Sequence, residues 1–234
     1  MLLGMVVLGA LFGAGGMLLA ERVAPGDLGG ADKTRIERVV RDYVLANPEL
    51  IPQAMQRLQE RENGRAIAGS RGAIETPYGN AFIGNPNGDV TLVEYYDYNC
   101  GFCRAALPTL DQLVAKDKNL RVVFRELPIL APSSRDAARA SLTAASQGRF
   151  KPFHDALYAL GPVSAQTIAA AAQRAGVNLA KVPGDAQEEI ERNMLTAAKL
   201  GVTGTPSWVV GDRMLSGALP LEQIQDAIAA ARAK

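Results

Sequence analysis

Two cysteines, Cys100 and Cys103, are the whole complement of thiols in this chain, and they stand three positions apart in the run Cys-Gly-Phe-Cys. Residues at i and i+3 face the same side of a helix, so two thiols at this spacing can close a small disulfide ring and reopen it. Reversible thiol–disulfide chemistry is therefore the first reaction that the sequence offers.

The residues around the pair predict the elements that would position it. Residues 90–98 are β-branched, aromatic and apolar, which predicts a strand, and residues 104–114 predict a helix. A strand that delivers Cys-x-x-Cys to a helix N-terminus is typical of thioredoxin-type redox proteins. Unpaired N–H groups and the helix dipole stabilise a thiolate there. We expect Cys100, at the exposed end, to be the nucleophile, and Cys103, one turn deeper, to resolve the mixed disulfide.

Two other roles for the pair have to be weighed. A purely structural disulfide would close a very small loop and remove little chain entropy, so it would add little to the stability of the fold. A closed structural zinc site needs four ligands, and the chain offers only two cysteines and one histidine, His154. A shared or transient site for a soft metal stays open, with copper(I) favoured by thiolate ligands.

Composition limits the function classes. The chain has 234 residues with 25 basic and 24 acidic side chains, a formal net charge of +1, and no basic run, which argues against nucleic acid as a partner. A cysteine pair is itself a redox group, so we expect neither an organic cofactor nor a bound metal.

Residues 2–20 carry no charge and are rich in Leu, Val and Gly. Such a segment is either a secretory signal peptide or an N-terminal membrane anchor, since its length is close to the roughly 20 residues that span a bilayer. Both alternatives place the rest of the chain outside the cytoplasm, in a compartment where disulfides are made.

Residues 21–77 predict a linker and a helical segment. Apolar residues recur with helical spacing over 36–44 and again over 50–58, and Asn47-Pro48-Glu49 predicts a break with a new helix N-terminus. These stripes need something to cover them. They either pack on their own domain or join copies of the chain as an oligomerisation segment, and we expect a homo-oligomer.

The redox domain is expected over residues 78–234. Short strands are predicted at 81–83, 90–96 and 120–127, followed by helical patterns over about 133–200, the first of them capped by Ser133. A strand at 207–210, a hairpin turn at Gly211-Asp212, a strand at 213–216 and a helix opened by Pro220 complete the chain. This order predicts an α/β thioredoxin fold with a helical insertion, preceded by the N-terminal helical segment.

With these motifs in place, the chain resembles the DsbA family of exported thiol–disulfide oxidoreductases. The resemblance is carried by the segments 92–103, 122–130 and 201–211, and it covers roughly residues 80–234. Within the family, the chain is most similar to the suppressor-of-copper-sensitivity C (ScsC) branch, whose members have an N-terminal helical extension. The resemblance implies a periplasmic location.

The resemblance also assigns three further site residues. It implies that Thr205 and Pro206 form a loop with a cis peptide bond facing the cysteines, and that Glu94 is a buried acid that accepts the proton of Cys103. From the residues alone, Pro206 would be an ordinary trans proline that opens a strand. Glu94 would be an exposed carboxylate paired with a basic neighbour, because acids are rarely buried.

The dipeptide between the cysteines, Gly101-Phe102, differs from that of DsbA itself, which has a histidine there. Gly with an aromatic residue, and Thr205 before the proline, are similar to disulfide isomerases. We therefore expect an isomerase or reductase acting on client proteins and exchanging electrons with a membrane redox partner. A DsbA-type oxidase and a copper(I)-handling thiol protein are the alternatives.

Overall fold

A computed structural model describes residues 29–233 of the chain, which divides into two compact units, Met1–Arg57 and Leu58–Lys234. The predicted signal peptide or anchor at 1–20 lies outside the described residues. Among those that are described, no helix combines the length and the apolar character needed to cross a membrane.

The first unit contains helix α1 (Gly30–Ala46) and the beginning of α2 (Leu50–Ala68). The predicted break is present, but Asn47 ends α1 instead of capping α2. Its side-chain amide donates to the Tyr43 carbonyl at 2.8 Å, and its own carbonyl accepts from Leu50 N–H at 3.1 Å. The apolar stripe of α1 is exposed, including Val39 and Tyr43.

The second unit is built on a five-stranded sheet in the order β1-β3-β2-β4-β5. Neighbouring strands β2 and β3 are parallel, and the other three pairs are antiparallel. The strands are β1 (Phe82–Gly84), β2 (Val90–Tyr96), β3 (Leu120–Glu126), β4 (Ser207–Val210) and β5 (Arg213–Ser216). The predicted thioredoxin fold is confirmed.

Helices cover both faces of the sheet, and β2 is buried at all seven positions. Because side chains alternate along a strand, Leu92 and Tyr96 enter the core on one face while Val93 and Tyr95 enter the core on the other. The remaining helices are α3 (Arg71–Glu75), α4 (Gly101–Lys116), α5 (Pro132–Ser146), α6 (Phe150–Leu160), α7 (Ala165–Ala175), α8 (Ala186–Lys199) and α9 (Leu221–Arg232).

Helices α5 to α8 form the predicted insertion between β3 and β4. The expected cap at Ser133 is wrong by two positions, because the N-cap is Ala131. Helix α5 begins at Pro132, whose fixed φ suits a first helical residue. The hydroxyl of Ser134 accepts from the Ala131 N–H at 3.2 Å, so Ser134 pairs the amide that precedes the helix.

The second unit begins at Leu58, earlier than the boundary expected near residue 78. The reason lies in two apolar side chains, Ile67 on α2 and Ile74 on α3. Both are completely buried in the same cluster as Val93 and Tyr95 of the sheet. The end of α2 and all of α3 therefore complete the core on that face of the redox domain.

One buried cation ties α3 to the insertion. Arg125, on β3, donates to the carbonyls of Ile74 and Thr76, where α3 ends, and pairs with Glu189 on α8 at 2.6 Å. Glu189 also accepts from the more exposed Arg192 at 2.7 Å. A buried charge is tolerated when it is paired and hydrogen-bonded in this way.

Candidate active site

The cysteine pair lies where the sequence places it, between β2 and α4. Cys100 is the N-cap of α4, and its sulfur accepts a hydrogen bond from the Cys103 backbone N–H at 3.3 Å. The first N–H groups of a helix have no partner within the helix, so a sulfur at the N-cap takes the place of the missing acceptor. The Cys100 sulfur therefore lies at the positive end of the helix dipole. Both cysteines are free thiols.

The two cysteines differ less in their solvent exposure than expected. Cys100 is 5% exposed and Cys103 is 1% exposed, so the pair is buried with Cys100 nearer the surface. The expectation that Cys100 lies at an exposed end is therefore wrong in degree. The Cys100 thiol is covered because it points at the Thr205 carbonyl, to which it donates at 3.2 Å. Phe102, between the cysteines, is 68% exposed.

The loop that faces the cysteines is the one that the resemblance indicated. The peptide bond between Thr205 and Pro206 is cis. Strand β4 starts at the next residue, Ser207, which pairs with Tyr95 of β2. This pairing brings the loop beside the end of β2 and so beside Cys100. The buried hydroxyl oxygen of Thr205 has no hydrogen-bond partner in the part of the chain that the structure describes.

Glu94 is a buried acid, with 2% of its surface exposed in the middle of β2. Burial raises the pKa of its carboxyl well above the usual range, and the neighbouring Cys100 sulfur adds to the shift. Burial also raises the pKa of the Cys103 thiol, and the nearby Glu94 charge raises it further. The two groups thus oppose each other's ionisation. The alternative of an exposed, paired carboxylate is not what the structure contains.

His154 is a core residue and takes no position in the site. It packs among the rings of Tyr96, Tyr98, Phe124 and Phe150, with Nδ1 3.0 Å from the Tyr98 hydroxyl. Burial lowers the pKa of its imidazole to about 3, so the ring is neutral at physiological pH. It supplies no charge to stabilise a thiolate.

Sequence reasoning missed Asp97, which lies between β2 and Cys100. The Asp97 side chain is buried, and the backbone carbonyl of Asp97 accepts a hydrogen bond from the Cys100 N–H at 2.9 Å. The signal was present in the sequence as an acid directly after a wholly buried strand and three residues before the first cysteine. Acids in such positions also occur in ordinary turns, which is why the type alone did not single it out.

Metal binding has little support beyond the two thiols. Within residues 29–233, no three side chains among His, Cys, Asp and Glu are close enough together to hold a metal ion. Two thiolates alone are a donor set suited to copper(I).

A dithiol at a helix N-terminus, a facing cis-proline loop and a buried acid on a five-stranded sheet define a thioredoxin-fold redox protein. The DsbA-like thioredoxin domain family matches residues 91–229, more than half of the chain. The chain belongs to this family and is a thiol–disulfide oxidoreductase of the DsbA and ScsC kind. Residues 32–63 match a second family, the copper resistance protein ScsC N-terminal domain.

Solved structures agree with the family assignment. A linker-deletion mutant of Proteus mirabilis ScsC is 25% identical, with a TM-score of 0.72 over 90% of this chain and 99% of that one. The catalytic domain of the same ScsC is 26% identical, with a TM-score of 0.69 over 73% and 99% of the two chains. A thioredoxin-like oxidoreductase from Silicibacter pomeroyi DSS-3 is 40% identical, with a TM-score of 0.63 over 65% and 92%.

The curated relatives that match are Na(+)/H(+) antiporters, and they are longer than this chain. A Na(+)/H(+) antiporter NhaA 1 of Salinispora arenicola is 29% identical over 196 residues, and the match covers 78% of this chain but 30% of the antiporter. The NhaA antiporter of Herminiimonas arsenicoxydans is 31% identical over 64% of this chain and 25% of its own length. The chain thus spans less than a third of these relatives.

Proposed function

We propose that this protein is an exported, periplasmic protein-disulfide isomerase or reductase in which Cys100 and Cys103 are the redox pair. The single observation that carries the assignment of roles is the hydrogen bond from Cys103 N–H to the Cys100 sulfur, because it places only that sulfur at the helix N-terminus, a typical position of reactive cysteines. A similar structure, a periplasmic thioredoxin-like protein from Salmonella enterica serovar Typhimurium that is 29% identical with a TM-score of 0.65, supports the location.

The exchange follows from the positions of the two sulfurs. The Cys100 thiolate attacks a client disulfide, so a Cys100–client bond forms and the second client sulfur leaves as a thiolate. Cys103 then gives its proton to Glu94 and attacks the Cys100 sulfur, which forms the Cys100–Cys103 disulfide and releases the client's first sulfur as a thiolate. The client gains two electrons and the protein loses two. A membrane redox partner would return them.

The proton transfer to Glu94 has its own test. Burial raises the pKa of both groups, and the Glu94 charge is a further cause of the raised Cys103 pKa, so Glu94 is an ionisable group near the Cys103 thiol. Changing Glu94→Gln removes the acceptor while keeping the shape of the side chain. We expect slower resolution of the mixed disulfide at neutral pH with little change in the first attack, measured by rapid acid quench. Unchanged rates for both steps would remove Glu94 from the mechanism.

Isomerase or reductase activity is favoured over DsbA-type oxidation by the absence of a histidine between the cysteines. Gly101-Phe102 brings no histidine to the sulfur, and His154 is uncharged within the core. A less stabilised thiolate makes a less oxidising disulfide. Equilibration of the pair with glutathione tests this, together with refolding of a scrambled substrate. A strongly oxidising equilibrium and no refolding activity would favour the oxidase, and tight copper(I) titration of the reduced pair would favour copper handling.

Clients would dock on the exposed rim of the site. Phe102 is largely exposed, and Ile129 and Leu130 expose apolar surface on the loop after β3. An extended client segment could pair with the backbone of Thr205, which faces Cys100, by adding to the sheet edge. The Cys103→Ser variant should accumulate mixed disulfides with clients through Cys100, because the resolving thiol is absent. Cys100→Ser is the matched control and should trap none.

The N-terminal segment is proposed to join copies of the chain. The α1 side chains Ile36, Val39, Val40 and Tyr43 form an exposed apolar stripe, and Met55 on α2 is exposed as well. Covering such area is worth roughly 25 cal/mol per Å². Light scattering of the chain without residues 1–20 should therefore report a homo-oligomer. Val39→Glu should produce monomers that keep thiol exchange, and a wild-type monomer at tens of micromolar would contradict the proposal.

A further inference from the structure

The carboxylate of Asp97 collects hydrogen bonds from three segments around the cysteines. It is 2% exposed. Its Oδ1 accepts from Asn99 N–H at 2.8 Å and from the Ser134 hydroxyl at 2.7 Å. Its Oδ2 accepts from the N–H groups of Ile129 and Leu130 at 2.9 and 3.0 Å. One side chain thus joins the turn before Cys100, the loop after β3 and the first turn of α5.

The backbone of Asp97 contacts both cysteines. Its carbonyl accepts from Cys100 N–H at 2.9 Å and from the buried Tyr158 hydroxyl at 3.0 Å. A backbone hydrogen bond from Asp97 also favours the thiolate of Cys103, against the larger effect of burial on that thiol. Any displacement of Asp97 therefore moves the nucleophile and changes the surroundings of the resolving thiol together.

We propose that Asp97 is a positioning residue that holds the Cys100 turn against the apolar loop of Ile129 and Leu130, so that client docking and thiol exchange share one geometry. This inference rests on the proposed roles of Cys100 and Cys103. A residue that only filled space would have no need to accept from the amides of the two exposed residues beside the site. Asp97 also acts through other groups, because its carboxylate has no contact with either sulfur among the described hydrogen bonds.

The type of side chain required follows from its partners. All four groups that face the carboxylate are donors, and an ionised carboxylate is acceptor-only. An asparagine of the same shape would turn an NH₂ group towards one pair of donors. The Ser134 hydroxyl cannot change from donor to acceptor towards this NH₂ group without losing a hydrogen bond. Its oxygen already accepts from the Asn99 side chain at 2.9 Å and from Ala131 N–H. Asp97→Asn is thus an isosteric change that the site cannot accommodate.

The experiment compares Asp97→Asn with Asp117→Asn in the full chain. Asp117 is a matched control, because its carboxylate also accepts from the N–H two residues on, that of Asn119, at 3.0 Å, but in a turn after α4. Three quantities are measured on protein shown to be folded by circular dichroism. These are the alkylation rate of Cys100, the equilibrium of the cysteine pair with glutathione, and kcat and KM for a disulfide-containing peptide with apolar residues.

For Asp97→Asn we expect about a tenfold or larger loss in Cys100 alkylation, since displacement by an ångström commonly costs this much or more. The glutathione equilibrium should shift severalfold and the peptide KM should rise, while Asp117→Asn stays at the wild-type values. Folded Asp97→Asn with all three quantities within about twofold of the wild type would overturn the proposal. A purely structural role predicts lower stability with these quantities unchanged.

A second variant covers the case in which Asp97→Asn does not fold. Ser134→Ala removes one of the four donors to Asp97, and it should lower Cys100 alkylation by a smaller factor in a folded protein. Ser134→Ala with wild-type alkylation and a wild-type glutathione equilibrium would then overturn the proposal. Cys100→Ser separates this outcome from failure of the proposed function. If exchange survives in Cys100→Ser, the redox assignment itself is wrong, whatever the Asp97 variants do.

Discussion

Replacing Glu126 should change how the stability of this protein depends on pH. Glu126 ends β3, is buried, and accepts a hydrogen bond from the Tyr96 hydroxyl. Burial raises the pKa of its carboxyl from 4.5 to about 8, although hydrogen bonds from Ser141 and Tyr96 act in the opposite direction. The folded state therefore holds a proton on Glu126 over a pH range in which the unfolded chain has lost it.

The sign of the effect follows from linkage. A group whose pKa is higher in the folded state contributes stability that is complete below the unfolded pKa and is lost as the pH rises through the folded pKa. The window runs from 4.5 to about 8. Each pKa unit corresponds to about 1.4 kcal/mol, so the whole loss is of the order of 5 kcal/mol, with a slope no steeper than about 1.4 kcal/mol per pH unit.

Urea unfolding of the wild type and of Glu126→Gln, at intervals from about pH 5 to about pH 8, measures this directly. The free energy of unfolding of the wild type relative to the variant should fall steadily across the range. His154 shares the surrounding polar cluster, but its folded pKa of about 3 keeps it neutral throughout, and its unfolded titration is common to both proteins. Glu222→Gln, at an exposed position of α9, is the control. A difference that stays flat with pH would refute the reasoning.

Three further outcomes follow from the packing. Ile67→Ala should lower the free energy of unfolding, measured by urea titration, by about 2–5 kcal/mol. Ile36→Ala, in the exposed stripe, should change it by less than about 0.5 kcal/mol. Equal effects of the two variants would contradict a redox domain that begins at Leu58. Arg125→Met should lower the free energy of unfolding by about 3–5 kcal/mol, because buried Glu189 loses its ion-pair partner and two carbonyls at the end of α3 lose their donor. Phe102→Ala should lower kcat/KM for apolar peptide clients without changing stability, and an unchanged ratio would exclude its docking role.

The sheet and the insertion could be predicted because their signals are local. The run of mostly β-branched, aromatic and apolar residues at 90–96, the turn at Gly211-Asp212 and the first-turn Pro220 each indicate their element without knowledge of the rest of the fold. The cysteine pair was predictable for the same reason, since the spacing of the thiols and the adjacent strand and helix are read from one short segment.

What could not be predicted depends on partners that are distant in sequence. Ile67 and Ile74 are apolar residues in a largely polar context, and no pattern shows that they complete the core beneath the sheet. Glu94 reads as an ordinary strand carboxylate until the elements on both faces of β2 are known. Asp97 reads as a turn residue because three of its four donors come from the loop after β3 and from α5, over thirty residues away.

The central claim is that Cys100 is the nucleophile and Cys103 the resolving thiol. Alkylation of the fully reduced protein at about pH 6, followed by peptide mapping over time, tests this assignment most directly, since only a thiolate reacts at an appreciable rate. We expect Cys100 to be labelled far faster than Cys103, whose thiol is kept protonated by burial and by the neighbouring Glu94. Labelling of the two cysteines at equal rates, or of Cys103 first, would contradict it.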